Sequence, residues 1–331
     1  MKEISLTGIK PTGDLHIGNY FGAIKPALEL AKTYEARYFI ADYHGLNTMK
    51  DPAELNSTIR HVAAGWLAAG LDPEKTIFYR QSSIPEVFEL TTMLMAFTSK
   101  GLMNRAHAYK AAVQENTEKG GDPDSGINMG LFTYPVLMAA DIVIFDSDVV
   151  PVGKDQVQHI EMAADIAQAV NANYGSPVLK IPRAGVQSQT AVVPGLDGRK
   201  MSKSYNNTIP LFETEKTLRK TIMRVVTNSQ GVQEPKDPES SQIFLLYRLF
   251  ASAEEQAALA ARYRAGGMGW GEAKEELFRA ANRELAPMRE RYDEIMADIP
   301  ALDRILEQGA EKARPIALAT VKRFRKAAGI D

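Results

Sequence analysis

The sequence predicts an α/β fold in which a Rossmann-like domain comes first and an α-helical domain follows it. The first half of the chain alternates short β-rich segments with longer helical patterns, which is typical of βαβ units around a parallel sheet. From residue 210 onward Ala, Glu, Arg and Leu recur at helical spacing, and little strand signal remains. At 331 residues the chain is long for one core, so a large and a smaller domain are expected.

The predicted sheet starts from three β-rich segments, at residues 4–7, 37–42 and 76–80. Between the last two, residues 52–69 have helical spacing, with Asp51 as a suitable N-cap and Gly70 just past the end. The glycine-rich polar segment 117–126 predicts a mobile loop. Further helices are predicted at 83–95, at 127–140, which is apolar enough to be buried, and at 154–172.

We place the domain boundary after residue 206, which gives a Rossmann-like domain over 1–206 and a helical domain over 207–331. The segment 176–207 is rich in Pro and Gly and is predicted to be irregular. The glycine-rich segment 266–271 is predicted to divide the helical domain into two parts. Pro315 is predicted to begin the last helix, 315–328, which can pack back onto the first domain.

The composition is that of a soluble globular protein, with 45% hydrophobic and 24% charged residues. No apolar run approaches the roughly 18 residues that a membrane span needs, and the N-terminus begins with a strand-like segment, so no signal peptide is expected. The absence of cysteine excludes disulfides, thiolate zinc sites, iron–sulfur clusters and cysteine nucleophiles. It also fits a reducing compartment, and a cytoplasmic location is therefore expected.

The net charge of −2 excludes a protein that binds nucleic acid through its bulk charge. Any contact with RNA must therefore come from a local patch. The clearest candidate is the run of cations between Lys312 and Lys326. The alternative is a solvated helix end whose cations complement the helix dipole.

One motif with phosphate-binding chemistry lies where the first strand passes into a helix. Residues 7–13 form a tight, glycine-punctuated turn, and the helix that follows offers unpaired N–H donors and a partial positive charge to an anion. His16 and Asn19 add possible donors, and Gly18 has no side chain to keep a nucleotide ring from the backbone. By itself, the motif is more typical of an ordinary capped helix start.

The second motif is the run Lys200-Met201-Ser202-Lys203-Ser204, in a segment flexed by Gly195 and Gly198. Lysines on a mobile loop can neutralise the charge that develops on a pyrophosphate leaving group. Alone, the run would fit a solvated basic turn. In this order and at this spacing, the two motifs together predict an enzyme that handles phosphates.

The two motifs resemble the HIGH-type and KMSKS signatures of the class I aminoacyl-tRNA synthetases, the first in the Asn-ending form of the aromatic amino acid subgroup. The likeness continues through residues 134–142, 150–161 and 310–313, and the sequence is similar to the bacterial tryptophanyl-tRNA synthetases over nearly its whole length. This resemblance implies ATP-dependent activation of L-tryptophan to tryptophanyl-adenylate and transfer to tRNA(Trp). It also implies Mg²⁺ bound through the ATP, with no metal held by the protein.

The resemblance also implies an architecture for this activity. The family works as a homodimer, so a twofold dimer is expected, with its interface at the apolar helical segments 88–97 and 127–137. The helical domain would carry the contacts with the tRNA anticodon. No side chain becomes covalently attached in the family, so catalysis there rests on positioning and electrostatics.

The resemblance assigns catalytic roles and an ATP site to the two motifs and to a few residues between them. The catalytic positions are His16, Lys110, Lys200 and Lys203. The ATP-binding positions are Lys10, Pro11, Thr12, Gly18, Asn19, Gly153, Asp155, Lys200, Met201, Ser202 and Lys203.

The tryptophan pocket, again by resemblance, is formed by Leu6, Tyr134, Met138, Asp141, Val150, Val152 and Gln156. Asp141 is the expected specificity residue, because a carboxylate on an apolar helix needs a donor and an indole ring supplies one N–H. The residues alone leave other roles open: a helix cap or internal ion pair for Asp141, a core position for Met138 and an exposed helix position for Gln156. His44 matches a family histidine in the core sheet, for which a satisfied core position is the preferred interpretation.

Two positions depart from the family pattern near the ATP site. Lys10 stands where a glutamine is common, and Ala112 occupies the second position of a Lys-x-Lys pair that begins at Lys110. We hypothesise that Lys10 supplies the charge that Ala112 lacks.

Three other functions are compatible with parts of the sequence. A tyrosyl-tRNA synthetase shares the fold and chemistry, but Asp141 and the segment 153–161 argue against it. A HIGH-superfamily nucleotidyltransferase that acts on a small metabolite is usually shorter and lacks the long helical C-terminal part. A non-catalytic paralogue that binds tRNA or tryptophan is disfavoured by the intact motif residues, although Lys10 and Ala112 keep it open.

Overall fold

The structure is a computed structural model that describes residues 2–153, 156–186 and 193–331. At its centre is a sheet of five strands: β1 (Ile4–Ile9), β2 (Glu35–Ile40), β3 (Ile77–Arg80), β4 (Val149–Val152) and β5 (Arg183–Val186). The strands lie in the order β3-β2-β1-β4-β5, and every neighbouring pair is parallel. The chain thus builds outward from β1 on one side and then returns to place β4 on the other, so the strand order reverses between β1 and β4.

Helices join the first three strands as predicted. Between β1 and β2 lie α1 (Ile17–Asn19), a π-helical turn (Tyr20–Ile24) and α2 (Lys25–Leu30); between β2 and β3 lie α3 (Asp42–Gly45) and α4 (Pro52–Ala68). The Asp51 side chain accepts a hydrogen bond from the Glu54 amide at 2.8 Å, which confirms the predicted N-cap of α4. Asp42, predicted to end the second strand, instead begins α3.

Four α-helices lie between β3 and β4, after a 3-10 turn at Gln81–Ser83: α5 (Glu86–Met95), α6 (Lys100–Asn104), α7 (His107–Glu118) and α8 (Met129–Val143). The predicted helix start at residue 83 is wrong, because Ser83 ends the 3-10 turn and caps nothing. The prediction of a buried helix over 127–140 is wrong for its first turns, since Met129 is 68% exposed and burial begins at Pro135. An apolar run alone does not show which turns face the core.

The sequence analysis predicts neither β4 nor β5. Proline cannot donate to a strand ladder, so Pro151 within β4 argued against a strand there. β5 lies in the segment predicted to be irregular, and its Ala184 and Gly185 have little intrinsic strand preference. Gly185 is required by the close pairing with β4, because an added Cβ would lie 2.7 Å from Val149 Cγ2.

The rest of the described chain is largely helical: α9 (Val157–Tyr174), a 3-10 turn (Lys203–Tyr205), α10 (Glu215–Ile222), α11 (Gln242–Tyr247), α12 (Ala253–Ala265), α13 (Trp270–Ala297) and α14 (Ile299–Ala328). The predicted break at 266–271 is confirmed between α12 and α13. The prediction that Pro315 begins the last helix is wrong, because α14 continues through it. Buried Ala310, Ala313 and Ala317 pack this helix on the core, and that packing outweighs the hydrogen bond that proline removes.

The apolar side chains form two clusters that include residues from both predicted domains. One cluster joins Ile17 and Trp66 to Leu218 and Leu277, and the other joins Leu6 and other sheet residues to α14. α14 packs on β3 and α5. The division at residue 206 stays a prediction. Every helix in the described parts of the chain is too short or too polar to cross a lipid bilayer.

Because α14 packs tightly against strand β3, one added methyl group at their contact should lower the stability of the fold. A Cβ added at Gly309 would lie 1.8 Å from the Phe78 carbonyl oxygen of β3. Gly309→Ala should therefore lower the free energy of unfolding by about 1–3 kcal/mol, as overpacked sites do. Urea denaturation measures this change. The matched control is Gly271→Ala on α13, where an added Cβ meets nothing within 4 Å; equal stability of the two variants would contradict the prediction.

Candidate active site

A cavity of about 700 Å³ opens beside β1 and β4, where the strand order reverses. Ligands of open α/β sheets bind at the carboxyl ends of the strands at such a point. All seven residues predicted for the tryptophan pocket line this cavity: Leu6, Tyr134, Met138, Asp141, Val150, Val152 and Gln156. The structure thus brings them together, and their roles in binding stay predictions.

The Asp141 carboxylate is the charged group in the apolar part of the cavity wall, and the residue is 2% exposed. Its Oδ1 accepts from Gln81 Nε2 at 2.9 Å, and its Oδ2 lies 2.8 Å from the same nitrogen and 3.0 Å from His44 Nε2. A carboxylate has about four lone-pair sites, so Oδ1 retains room for one more donor. Burial raises the pKa of Asp141, although the hydrogen bonds from His44 and Gln81 oppose part of that rise.

Gln81 is a site residue that the sequence analysis missed. It is fully buried, and its Oε1 accepts from the Tyr43 amide at 3.1 Å, which aims its Nε2 at Asp141. The available signal is its position directly after β3, because the carboxyl ends of parallel strands meet at the ligand edge of the sheet. His44, expected in the core sheet, lies instead in α3, directly beside the cavity.

The cavity walls are apolar and closely fitted. Tyr134 is held by its hydroxyl, which lies 2.5 Å from His159 Nε2. Gly8 allows Phe39 to pack against β1, since an added Cβ would lie 2.5 Å from the Phe39 ring. The sequence analysis also missed several polar residues that line the cavity, among them Thr7, Asn47, Thr48 and Asn128.

The predicted phosphate-binding turn has the expected path from β1 into α1. His16 is the N-cap of α1, and its amide donates to Asn19 Oδ1 at 3.0 Å. A Cβ added at Gly18 would lie 2.9 Å from His16 Nδ1, so glycine is needed here to fit the imidazole as well as any ligand.

His16 is neutral near pH 7. Burial, together with a smaller contribution from the nearby Lys203 cation, lowers its pKa to about 4. Its Nδ1 is buried without a hydrogen-bond partner among the described residues. A bare acceptor costs less than an orphaned N–H there, so the ring favours its proton on Nε2. That tautomer has one donor to offer a phosphate oxygen.

The lysine loop lies against this turn, so the structure brings the two motifs together. Lys203 Nζ donates to the Thr12 carbonyl oxygen and lies 3.1 Å from the Cβ position of Gly13. Met201 is buried and anchors the loop in the core, whereas Lys200 and Lys203 are exposed. Although the Lys203 residue is exposed overall, partial desolvation of its ammonium lowers the pKa of Lys203, and the Asp14 charge acts in the opposite direction.

The remaining predicted ATP-site residues have separate outcomes. Lys10 lines the cavity, is half-buried, and has no hydrogen bond or ion pair among the described residues; burial lowers its pKa. Gly153 also lines the cavity. Lys110 is exposed on α7 and does not line the cavity. Asp155 lies outside the described residues.

Two further expectations concern cations and metals. Three C-terminal arginines are paired within the fold: Arg314 with Glu86 at 2.8 Å, Arg323 with Asp146 at 2.6 Å, and Arg325 with Glu89. Lys312 also lies 3.9 Å from Glu74, so four of the six cations in the predicted RNA patch lie beside the protein's own carboxylates. In the parts of the chain that the structure describes, no cluster of three His, Cys, Asp or Glu side chains could hold a metal ion.

A sheet with its cavity at the reversal point, and two contacting motifs that are predicted to bind phosphate, are typical of the catalytic core of a class I aminoacyl-tRNA synthetase. The family model described as tRNA synthetases class I (W and Y) matches residues 2–286. The chain belongs to this family.

Relatives and solved structures narrow the resemblance to one branch of that family. The tryptophan–tRNA ligase of Bordetella parapertussis is 52% identical over 328 residues, which cover 98% of this chain and 72% of that protein. The tryptophan–tRNA ligase of Neisseria meningitidis is 48% identical over 332 residues, or 99% and 98% of the two chains. A crystal structure of the Campylobacter jejuni tryptophanyl-tRNA synthetase, complexed with ADP and tryptophan, is 44% identical with a TM-score of 0.90, covering 98% and 99%.

Proposed function

We propose that this protein activates L-tryptophan with ATP and transfers the tryptophanyl group to tRNA(Trp). The observation that carries the proposal is the buried Asp141 carboxylate, which has room for one further donor and lies in an apolar cavity. An indole ring offers one N–H and no acceptor, so it matches this wall. The names of the similar proteins from Bordetella and Neisseria support the same substrate.

The reaction needs only positioned groups and charge. A carboxylate oxygen of tryptophan attacks the α-phosphorus of ATP, the bond to the bridging α–β oxygen breaks, and pyrophosphate leaves. A ribose hydroxyl of the terminal tRNA adenosine then attacks the carbonyl carbon of the adenylate, and AMP leaves. Preorganised cations stabilise the negative charge that accumulates on the departing pyrophosphate. The loss of one such donor typically lowers the rate by roughly 10²–10³-fold.

In this proposal the groups beside the cavity divide the work on ATP. Gly18 and Asn19 hold the nucleotide, and His16 donates to a phosphate oxygen. Lys200, Ser202 and Lys203 contact the pyrophosphate. Gln156 binds the ammonium group of tryptophan, and Tyr134 forms part of the wall of the indole slot. Mg²⁺ enters with the ATP.

The function is tested by ATP–pyrophosphate exchange with each proteinogenic amino acid in turn. Exchange should depend on tryptophan and should be negligible with tyrosine, because a phenol cannot fill a slot made for a bicyclic ring. Tyrosine-dependent exchange would instead indicate a tyrosyl-tRNA synthetase. Absence of exchange with every amino acid would favour the non-catalytic binding protein.

The role of Asp141 is isolated in the same assay by a matched substrate. 3-Benzothienylalanine keeps the bicyclic shape of tryptophan but carries sulfur in place of the indole N–H. Its kcat/KM should be about 10–100-fold lower, because the buried carboxylate is left without its partner at a cost of about 1–3 kcal/mol. Equal kcat/KM for the two substrates would rule out the proposed hydrogen bond.

We also propose that Lys10 binds the ATP triphosphate in place of the lysine absent at Ala112. Its ammonium is half-buried beside the cavity and has no counter-ion in the described residues. Lys10→Gln should raise the KM for ATP or lower kcat by up to roughly 10²-fold, with the KM for tryptophan unchanged. Lys32→Gln is the control, because Lys32 is exposed and pairs only with Glu29. Unchanged kcat and KM for ATP in the Lys10 variant would contradict the proposed contact with the triphosphate.

A twofold homodimer is the proposed assembly, with α5 and α8 at its interface. Phe88 and Met95 on α5 and Met129 on α8 are large apolar side chains that are 44%, 45% and 68% exposed, and burial in an interface would remove them from water. Phe88→Glu should convert the dimer to a monomer in sedimentation velocity. Val232→Glu, at a 51% exposed site in another part of the chain, is the control. A wild-type monomer would contradict the proposal.

The tRNA would reach both parts of the molecule in this proposal. The helical segment 207–331 would contact the anticodon, and the terminal adenosine would enter the cavity beside β1 and β4. The cytoplasm is the proposed location, since tRNA is charged there.

A further inference from the structure

The lysine loop is held by a buried asparagine that lies just after it. Asn207 is 2% exposed and follows Asn206, whose φ of +50° turns the chain back toward the loop. Its Oδ1 accepts from the Ser202 amide at 2.8 Å. Its Nδ2 donates to Asp197 Oδ1 at 2.6 Å and to the Lys200 carbonyl oxygen at 3.2 Å. One side-chain amide thus joins three points of the same loop.

The surroundings allow this amide little freedom. A Cβ added at Gly195 would lie 2.2 Å from Asn207 Nδ2 and 2.8 Å from the backbone carbonyl oxygen of Asn207. The loop therefore packs directly against the side-chain amide. The Asn207 carbonyl oxygen also accepts from the Leu196 amide at 2.9 Å. The side-chain bonds are partly buried, but the Asn207 side chain itself is shielded from water, so the loss of a partner would leave its polar atoms unpaired.

The bonds fix the backbone from which the two lysines extend. The Lys200 carbonyl and the Ser202 amide lie on either side of buried Met201, whose amide donates to the Val193 carbonyl oxygen at 2.9 Å. Lys203 follows directly, and its ammonium lies beside the phosphate-binding turn. Each lysine ammonium group lies at the end of a long side chain. The position of the loop backbone therefore decides where these groups can reach.

We propose that Asn207 is a positioning residue for the lysine loop, in that it sets the backbone of Lys200 and Ser202 so that both lysines reach the departing pyrophosphate. Asn207 and Asp197 together form what we call the clamp of the loop: Asp197 accepts a hydrogen bond from Asn207 and pairs with Arg199 at 2.6 Å. The proposal rests on the function proposed above. Asn207 contacts no substrate in it, and its effect is transmitted through the loop.

Asn207→Asp is the main test. The variant keeps an acceptor for the Ser202 amide, but it replaces the Nδ2 donor with an oxygen that faces the Asp197 carboxylate and the Lys200 carbonyl. The kcat of tryptophan-dependent pyrophosphate exchange should fall by roughly 10²-fold, the cost of misplacing reacting groups by about 1 Å. The KM for tryptophan should stay unchanged, because Asn207 does not line the cavity.

The matched control is Asn228→Asp. Asn228 is exposed, and its side chain bonds only to nearby Gln230, so exchange kinetics should not change. Combining Asn207→Asp with Asp197→Asn gives a rescue test, because an amide at position 197 can then donate to a carboxylate at position 207. The double variant should recover at least about tenfold of the lost kcat, since one hydrogen bond to a charged group is worth about 1.5–3 kcal/mol.

Two kinetic results would overturn the proposal. One is an unchanged kcat in the Asn207→Asp variant. The other is a parallel loss of kcat and of the fraction of active sites, which would indicate a role in folding alone. Hydrogen exchange of the Ser202 amide gives a readout that needs no activity: exchange should be slow in the wild type and faster in the Asn207→Asp variant. If the wild type shows no tryptophan-dependent pyrophosphate exchange but the two proteins differ in hydrogen exchange, the proposed function fails and the role of Asn207 in holding the loop stands. Equal hydrogen-exchange rates of the Ser202 amide in the two proteins would reject that role.

Discussion

The three hydrogen bonds on the Asp141 carboxylate are the interaction on which the site depends. Gln81 comes from the end of β3, His44 from the helix after β2, and Asp141 from α8, so the carboxylate connects elements that are far apart in the chain. A buried carboxylate that loses its donors is strongly destabilising, and the parallel sheet is what brings those donors to one edge. The same edge carries the cavity, so the polar network and the apolar pocket have a common structural origin.

Much of this arrangement could be predicted from the sequence, and the misses have physical reasons. The first three strands and α4 were predictable because hydrophobic spacing and end signals such as Asp51 agree there. β4 and β5 were not, because Pro151 and Gly185 contradict strand formation locally and only pairing overrides them. Motif resemblance singled out Asp141, but Gln81 and Asn207 lie outside the motifs. Gln81 meets Asp141 from 60 residues away, and the Asn207 hydrogen bonds form only because the loop turns back on itself.

Electrostatics explains how a chain of net charge −2 can bind a polyanion. The C-terminal arginines are neutralised by carboxylates, whereas Lys10 has no such partner in the described residues. Burial lowers the pKa values of Lys10 and Lys203, which means that both ammonium groups gain by meeting an anion. A neutral His16 adds a donor without adding positive charge close to Lys203.

The contact of Gly309 with the backbone of Phe78 has a consequence for how the protein is made. Strand β3 is synthesised well before α14, which covers it, and residues 81–298 lie between them in the chain. One edge of the nascent sheet therefore stays apolar and uncovered while those residues are synthesised. A premature stop codon that removes α14 would leave that surface permanently open to chaperones and to aggregation, even though every catalytic motif had already been translated.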